Sequence, residues 1–230
     1  MRSFSKTLSP ASFLLWAKTA SLGLYDLARH NAVHEGLLFL KTWREHPAKV
    51  GAILPSGPAL CDAITREVDA ARGPILELGC GTGVFTQKII ERGVAPRDLV
   101  LVELDPCFAS HLRAKFPHSQ VLCADACRLG QEPVVTNMSP GAAICGLPLR
   151  NMSLRQQCRI VLGVFGALRE NGALYLFSYG WRCPVPLRLL DRLGLRAQKL
   201  DTVLLNVPPA RVWKIVRSGN RLQNLTRIRR

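Results

Sequence analysis

Ile75-Leu76-Glu77-Leu78-Gly79-Cys80-Gly81-Thr82-Gly83 joins an apolar run to a turn with a glycine at every second position. The run, bounded by Gly73-Pro74, predicts a short buried strand, and the glycines remove the side chains that would hold a ligand off the backbone. Val84-Phe85-Thr86-Gln87-Lys88-Ile89-Ile90 follows with apolar residues at helical spacing. The free N–H groups of its first turn would face whatever lies over the glycines. The product is a strand, loop and helix shaped to cradle a nucleotide. Its Gly-x-Gly-x-Gly spacing differs from the dinucleotide fingerprint, and it lacks the Lys-Ser/Thr of a triphosphate loop. Glu77 would set a carboxylate beside the ligand, which suits a cationic amino-acid group better than a pyrophosphate.

Outward from the loop, short apolar runs alternate with polar, helix-like stretches. Leu99–Val102 precedes Glu103, Gln120–Cys123 precedes Asp125, and Ala142–Cys145 precedes Gly146-Leu147-Pro148-Leu149. A helix is predicted over Leu154–Glu170, capped by Ser153 and stopped at Asn171-Gly172, and a fifth strand over Ala173–Tyr179. Leu200–Val207 and Arg211–Val216 lie too close together for a crossover helix and predict an antiparallel pair. Before the loop, Lys49–Pro58 reads as a turn-forming segment that passes over the cofactor mouth, leading into a helix over Ala59–Ala71. The alternation gives an α/β fold with a seven-stranded, mostly parallel sheet, helices on both faces and an antiparallel end.

In such sheets ligands bind beyond the carboxyl ends of the strands. Glu103 stands twenty residues after Gly83, the interval at which an acidic side chain meets ribose hydroxyls. Asp105 is its rival, set two residues further into the turn. Asp125, with the Ala126 backbone beside it, is placed to take the exocyclic amine of adenine. Gly79, Cys80, Gly81, Thr82, Gly83, Leu104 and Cys145 complete the expected nucleoside site with Glu77. None of the five histidines ends a strand.

The chain has 230 residues, 31 Lys+Arg and 16 Asp+Glu, a net charge of +15 that would draw it toward nucleic acid or an anionic membrane. Its eight cysteines form no Cys-x-x-Cys pair and have no histidines at zinc spacing, so they read as reduced thiols of a cytosolic protein without a metal. No apolar run is long enough to span a bilayer. Phe13, Trp16, Ala17, Ala20, Leu24, Leu27 and Ala28 share one face of a helical wheel, with Lys18 and Arg29 nearly opposite. That amphipathic helix suits either an anionic bilayer interface or packing on the main domain. A second helix is predicted over 33–45. Arg211–Arg230 carries seven Lys/Arg and no acid, a basic tail. The expected division is a membrane-associating segment over 1–50, an α/β domain over 51–217 that carries the nucleoside site and a tail over 218–230.

Glu77-Leu78-Gly79-Cys80-Gly81-Thr82-Gly83 resembles the first motif of the class I S-adenosylmethionine-dependent methyltransferases. The resemblance implies S-adenosyl-L-methionine as cofactor and S-adenosyl-L-homocysteine as product. Enzymes that methylate amino groups of nucleobases carry Asn/Asp-Pro-Pro-aromatic or Asn-Leu-Pro-Tyr after the fourth strand; here Gly146 and Leu149 stand at the polar and aromatic positions. A base would find neither partner there. Gly-Ala-Ile-Leu-Pro-Ser at 51–56, Gly-Leu-Pro-Leu-Arg-Asn-Met at 146–152, Phe-Ser-Tyr-Gly at 177–180 and Asn-Val-Pro-Pro-Ala-Arg-Val-Trp at 206–213 look like the bacterial soluble phospholipid N-methyltransferases. Gly57 departs from a serine expected in that family. The resemblance implies methylation of phosphatidylethanolamine toward phosphatidylcholine, by a monomer held peripherally on the inner face of the cytoplasmic membrane, with no nucleic-acid partner. Gly146, Leu147 and Pro148 would form the acceptor site. Arg150 or Lys49 would hold the lipid phosphate, and Tyr179 and Trp181 would turn their rings to the ammonium, Tyr179 as the first choice for a catalytic role. The alternatives are a ribosomal RNA adenine dimethyltransferase and a basic tethering module that keeps the cofactor as a structural ligand.

Overall fold

The computed structural model describes residues 57–204 and 209–219. The expected amphipathic helix of the first thirty residues, the helix over 33–45, Lys49 with the turn after it, residues 206–208 and the tail from 220 onward lie outside the described residues.

The chain enters through α1 (Pro58–Ile64), with proline at its first position, where a missing N–H costs nothing. The expected continuation to Ala71 fails. Thr65 Oγ1 donates to the Cys61 carbonyl and the chain leaves the helix; Asp69 then caps a separate 3-10 turn, Ala70–Arg72. β1 (Ile75–Leu78), α2 (Val84–Glu91), β2 (Leu99–Glu103), α3 (Pro106–Lys115), β3 (Gln120–Cys123), α4 (Pro133–Met138), β4 (Ala142–Cys145), α5 (Leu154–Ala167), β5 (Ala173–Ser178), α6 (Leu187–Arg192), β6 (Leu195–Val203) and β7 (Ala210–Arg217) follow in order. No described helix is long and apolar enough to cross a membrane.

Among the described residues the sheet has seven strands, in the order β3-β2-β1-β4-β5-β7-β6. β1 to β5 are mutually parallel, and β7 runs antiparallel to both β5 and β6. The register sets Leu78 beside both Val102 and Cys145 and sets Glu103 beside Cys123, so the parallel strands finish level. The winding reverses between β1 and β4, and a crevice opens there at the carboxyl edge. Alternation splits the core in two. Leu76, Leu78, Ala143, Cys145, Leu174 and Leu176 face one side, with α5 and α6 over them. Ile75, Ala142, Ile144, Ala173 and Tyr175 face the other, under α1, α2 and α3.

α5 carries the cap expected of Ser153: Gln156 N–H bonds to Ser153 Oγ while the Gln156 side chain reaches back to Ser153 N–H. Such a cap contributes about 1 kcal/mol. Burying Ile160, Val161, Val164 and Phe165 on its inner face contributes roughly 1.5–3 kcal/mol each. The helix ends at Ala167, short of the expected Glu170. Arg217 at the end of β7 donates to the carbonyls of Phe165, Leu168, Arg169 and Glu170, setting a cation against the negative end of the helix.

The antiparallel pair is present, but β6 runs from Leu195 to Val203, not from Leu200 onward. Its first half, Leu-Arg-Ala-Gln-Lys, is half-exposed edge strand and has no apolar run to announce it.

Candidate active site

All three glycines of the turn have positive φ, at +69° for Gly79, +54° for Gly81 and +78° for Gly83, which side-chain-bearing residues rarely adopt. Their surroundings separate them. A Cβ on Gly79 would lie 2.6 Å from Leu147 Cδ2, and one on Gly83 would lie 2.5 Å from the Phe116 ring. A Cβ on Gly81 would meet nothing within 4 Å among the described residues. Two glycines therefore permit packing, while Gly81 leaves backbone bare to the crevice.

Glu103 reaches back to this turn: its Oε2 accepts the Gly81 N–H at 2.8 Å and its Oε1 accepts the Asp105 N–H at 3.0 Å. The rival Asp105 is committed elsewhere, its Oδ1 accepting from the Cys107 and Phe108 N–H groups to cap α3. Leu104 projects from the end of β2 with 65% of its surface exposed. Asp125, at the end of β3, is exposed, and its Oδ1 accepts the Cys127 N–H; Ala126 beside it is buried.

Glu77, expected to set a carboxylate beside the ligand, is buried. Strand alternation turns it with Ile75 toward the α2 side of the sheet, where only 1% of it is exposed. Thr86 Oγ1, on α2, donates to its Oε2 at 2.7 Å, and Oε1 has no partner among the described residues. Burial pushes the carboxyl up to about 8, with the negative charge of Glu103 adding to the shift. The Cys80 thiol is fixed between the Glu77 and Val102 carbonyls. Thr82 is buried, and Cys145, buried at the end of β4, has its thiol pushed up to about 12 by desolvation.

Gly146 N–H donates to Leu78 O, and a Cβ on Gly146 would sit 2.6 Å from Gly79 O. This contact presses the turn after β4 against the glycine turn. Beside it lies a cleft of about 320 Å³, lined by Gly146–Asn151 from one side and by Phe177–Gly180 and Pro184 from the other. Gly146, Leu147, Pro148, Arg150 and Tyr179 thus share one cavity. A Cβ on Gly180 would fall 1.9 Å from Arg150 Nη1, so the guanidinium lies directly on the Gly180 backbone. The Tyr179 ring meets Phe177 edge to face at 5.5 Å, and Phe177 meets Phe85 of α2 at 6.0 Å. An aromatic ladder therefore runs from the first turn of α2 to the cleft mouth.

Trp181, the other ring expected at the ammonium, stands apart. It does not line the cleft, and its ring already carries a cation, the Arg211 guanidinium 3.8 Å from the ring centroid. Arg211 is buried and donates to Gly180 O, and Trp213 Nε1 donates to Ser178 Oγ, bracing the loop after β5. Asn151, Phe177 and Ser178 also line the cleft; they stand in the stretches 146–152 and 177–180 already quoted, without a role of their own having been assigned. The first adjoins Arg150 and the others precede Tyr179, so adjacency to those residues was the available signal.

No protein-family model matches the chain. Over 81 residues it is 35% identical to an ornithine lipid N-methyltransferase of Singulisphaera acidiphila, a match that covers 34% of this chain and 42% of that protein. The chain thus spans less than half the length of this curated relative. Among solved structures, it is similar to a TehB-like SAM-dependent methyltransferase from Corynebacterium glutamicum, with a TM-score of 0.55, 16% identity and coverage of 81% of this chain and 100% of that one. The glycopeptide N-methyltransferase MtfA complexed with S-adenosyl-L-methionine gives a TM-score of 0.55 at 11% identity, over 72% of this chain and 96% of that one. A sinefungin complex of MtfA gives 0.54 at 12% identity, over 72% and 95%. Strand order, antiparallel last strand and these likenesses together give the chain the fold of the class I methyltransferases.

Proposed function

We propose that the chain is an S-adenosylmethionine-dependent methyltransferase acting on the amine of a membrane lipid headgroup, phosphatidylethanolamine or a related amine lipid. One observation carries the reading: the cleft against the glycine turn joins an arginine and an aromatic ring, Arg150 and Tyr179, and has neither the acid or amide nor the stacking ring of a nucleobase site at 146 and 149. The curated relative, a lipid N-methyltransferase by name, supports the same class of acceptor.

The cofactor residues fit a nucleoside with a cationic amino-acid end. Gly81 leaves open space, Glu103 has lone pairs beyond its two backbone bonds for ribose hydroxyls, Leu104 offers an apolar surface to a base, and Asp125 a carboxylate to its amine. Glu77 Oε1 has no donor among the described residues and suits the ammonium. When bound, S-adenosylmethionine supplies a methyl group activated by its sulfonium.

The protein's own part is alignment and exclusion of water. Arg150, spread on Gly180, holds the anionic group of the acceptor bidentately and so fixes where its amine lies. Leu147, Pro148 and Phe177 keep water from that amine, which must be neutral to offer its lone pair. Tyr179 turns an electron-rich ring face toward the ammonium that forms, a contact worth roughly 0.5–2 kcal/mol. Residues 1–50 and the basic tail hold the enzyme to the inner face of the membrane.

Purified protein with labelled S-adenosylmethionine is expected to label phosphatidylethanolamine or ornithine lipid in liposomes. Absence of labelled lipid at saturating cofactor rejects the reading.

A further inference from the structure

Seven large hydrophobic side chains are exposed among the described residues, and six share one edge of the sheet. Leu104 follows β2, Leu154 begins α5 just after the β4 turn, Tyr179 and Trp181 follow β5, Leu187 begins α6, and Leu204 follows β6. Only Leu162, midway along α5, lies elsewhere. Leu104 and Tyr179 belong to the site already described; the other four have no place in it. Trp181 is 83% exposed, Leu204 73% and Leu187 64%.

Trp181 is held out deliberately. The buried Arg211 supports its ring from beneath while bonding to Gly180 O, so the exposed indole is fixed to the body of the sheet. An exposed tryptophan so supported, with two leucines on neighbouring segments of the same edge, forms an unpartnered apolar rim. The charge around it has one sign. Segments 146–155 and 179–188 contain Arg150, Arg155, Arg182 and Arg188, all exposed, and no Asp or Glu.

We propose that this rim, formed by Trp181, Leu187 and Leu204 with the exposed Arg182 and Arg188, is the surface by which the domain seats on an anionic lipid bilayer, with the acceptor cleft opening into the interface. Guanidinium groups meet headgroup phosphates while the indole and leucines enter the boundary with the acyl chains, the division of labour of interfacial anchors. Nucleic acid would account for the arginines and leave the leucines in water. The inference rests on the proposed function for the cleft's role but not for the docking itself, and it assigns membrane contact to the folded domain independently of residues 1–50.

The full chain carrying Trp16→Phe and Trp43→Phe retains Trp181 and the half-buried Trp213 as emitters. Vesicles of phosphatidylglycerol and phosphatidylcholine with brominated acyl chains are expected to quench its fluorescence, and adding Trp181→Phe is expected to abolish the quenching. Quenching that is absent, or that survives Trp181→Phe, overturns the proposal. Independently, Leu187→Asp with Leu204→Asp should lower sedimentation with unbrominated vesicles by about tenfold per leucine; unchanged sedimentation overturns it, as does tighter binding to structured RNA than to vesicles. A water-soluble short-chain amine lipid reads the cleft separately. The double leucine variant should methylate it at the unaltered rate while losing vesicles. Vesicle docking through Trp181 without methylation of any amine lipid leaves the surface standing and rejects the function.

Discussion

The carboxyl edge of the sheet has two halves of opposite character. Behind β1, β2 and β3 stand Glu103, Asp105 and Asp125, each accepting backbone N–H groups. Behind β4, β5 and β6 stand Arg150, Arg182 and Arg188 among exposed apolar side chains, with no carboxylate in the flanking segments. The net charge of +15 is therefore not a uniform coat. Acid gathers beside the glycine turn, at the proposed cofactor site, and cation gathers around the cleft proposed for the lipid. Two small residues, Gly79 and Gly146, hold the halves against each other.

Breaking that seam gives the largest expected effect. A methyl on Gly146 must displace the Gly79 carbonyl 2.6 Å away, which is backbone and cannot rotate aside. Gly146→Ala is expected to lose about 3 kcal/mol in urea titration and to impair both cofactor and acceptor binding. The next test separates the halves. Glu103→Ala should weaken S-adenosylhomocysteine by about a hundredfold in calorimetry, the equivalent of one or two charge-assisted hydrogen bonds. Arg150→Ala should instead raise the KM for lipid about tenfold, with cofactor affinity unchanged. If both variants disturb both ligands equally, the division into halves is wrong.

The smallest effect concerns Glu77, which lies under the seam. Its carboxyl, raised by burial to about 8, is protonated in the fold and ionised in the unfolded chain between about pH 4.5 and pH 8. Its stabilising contribution is full below the unfolded value and falls as pH rises toward 8. Gln keeps an acceptor for Thr86 without the charge. Glu77→Gln should therefore match the wild type near pH 4 and melt about 2–4 °C higher near pH 8.5 in the absence of cofactor. Identical melting curves at both pH values would show that the buried carboxyl carries no such penalty.

Much of the cofactor half was legible because its devices are local. Glycines at alternate positions after an apolar run announce the turn, and strand ends announce Glu103 and Asp125. The burial of Glu77 was not legible, because the face of a strand on which a residue lies depends on alternation against both cores, and a four-residue strand gives too few positions to set it. The acceptor half was harder to read. Its cleft is assembled from residues 146–151, 177–180 and Pro184, far apart in sequence, so the motifs indicated both stretches but not that they line one cavity. The partner of Trp181 was out of reach for the same reason: Arg211 is thirty residues on, across a strand pairing. β6 escaped in part because an edge strand exposes polar residues that mask its period.

The strand order also bears on how the polypeptide is made. β7 is synthesised last yet lies between β5 and β6, so β5 keeps a bare edge and β6 has no neighbour until Ala210–Arg217 has emerged from the ribosome. Translation that stalls after Val203 leaves two unsatisfied strand borders on an otherwise assembled domain, the species most prone to pair with another nascent chain.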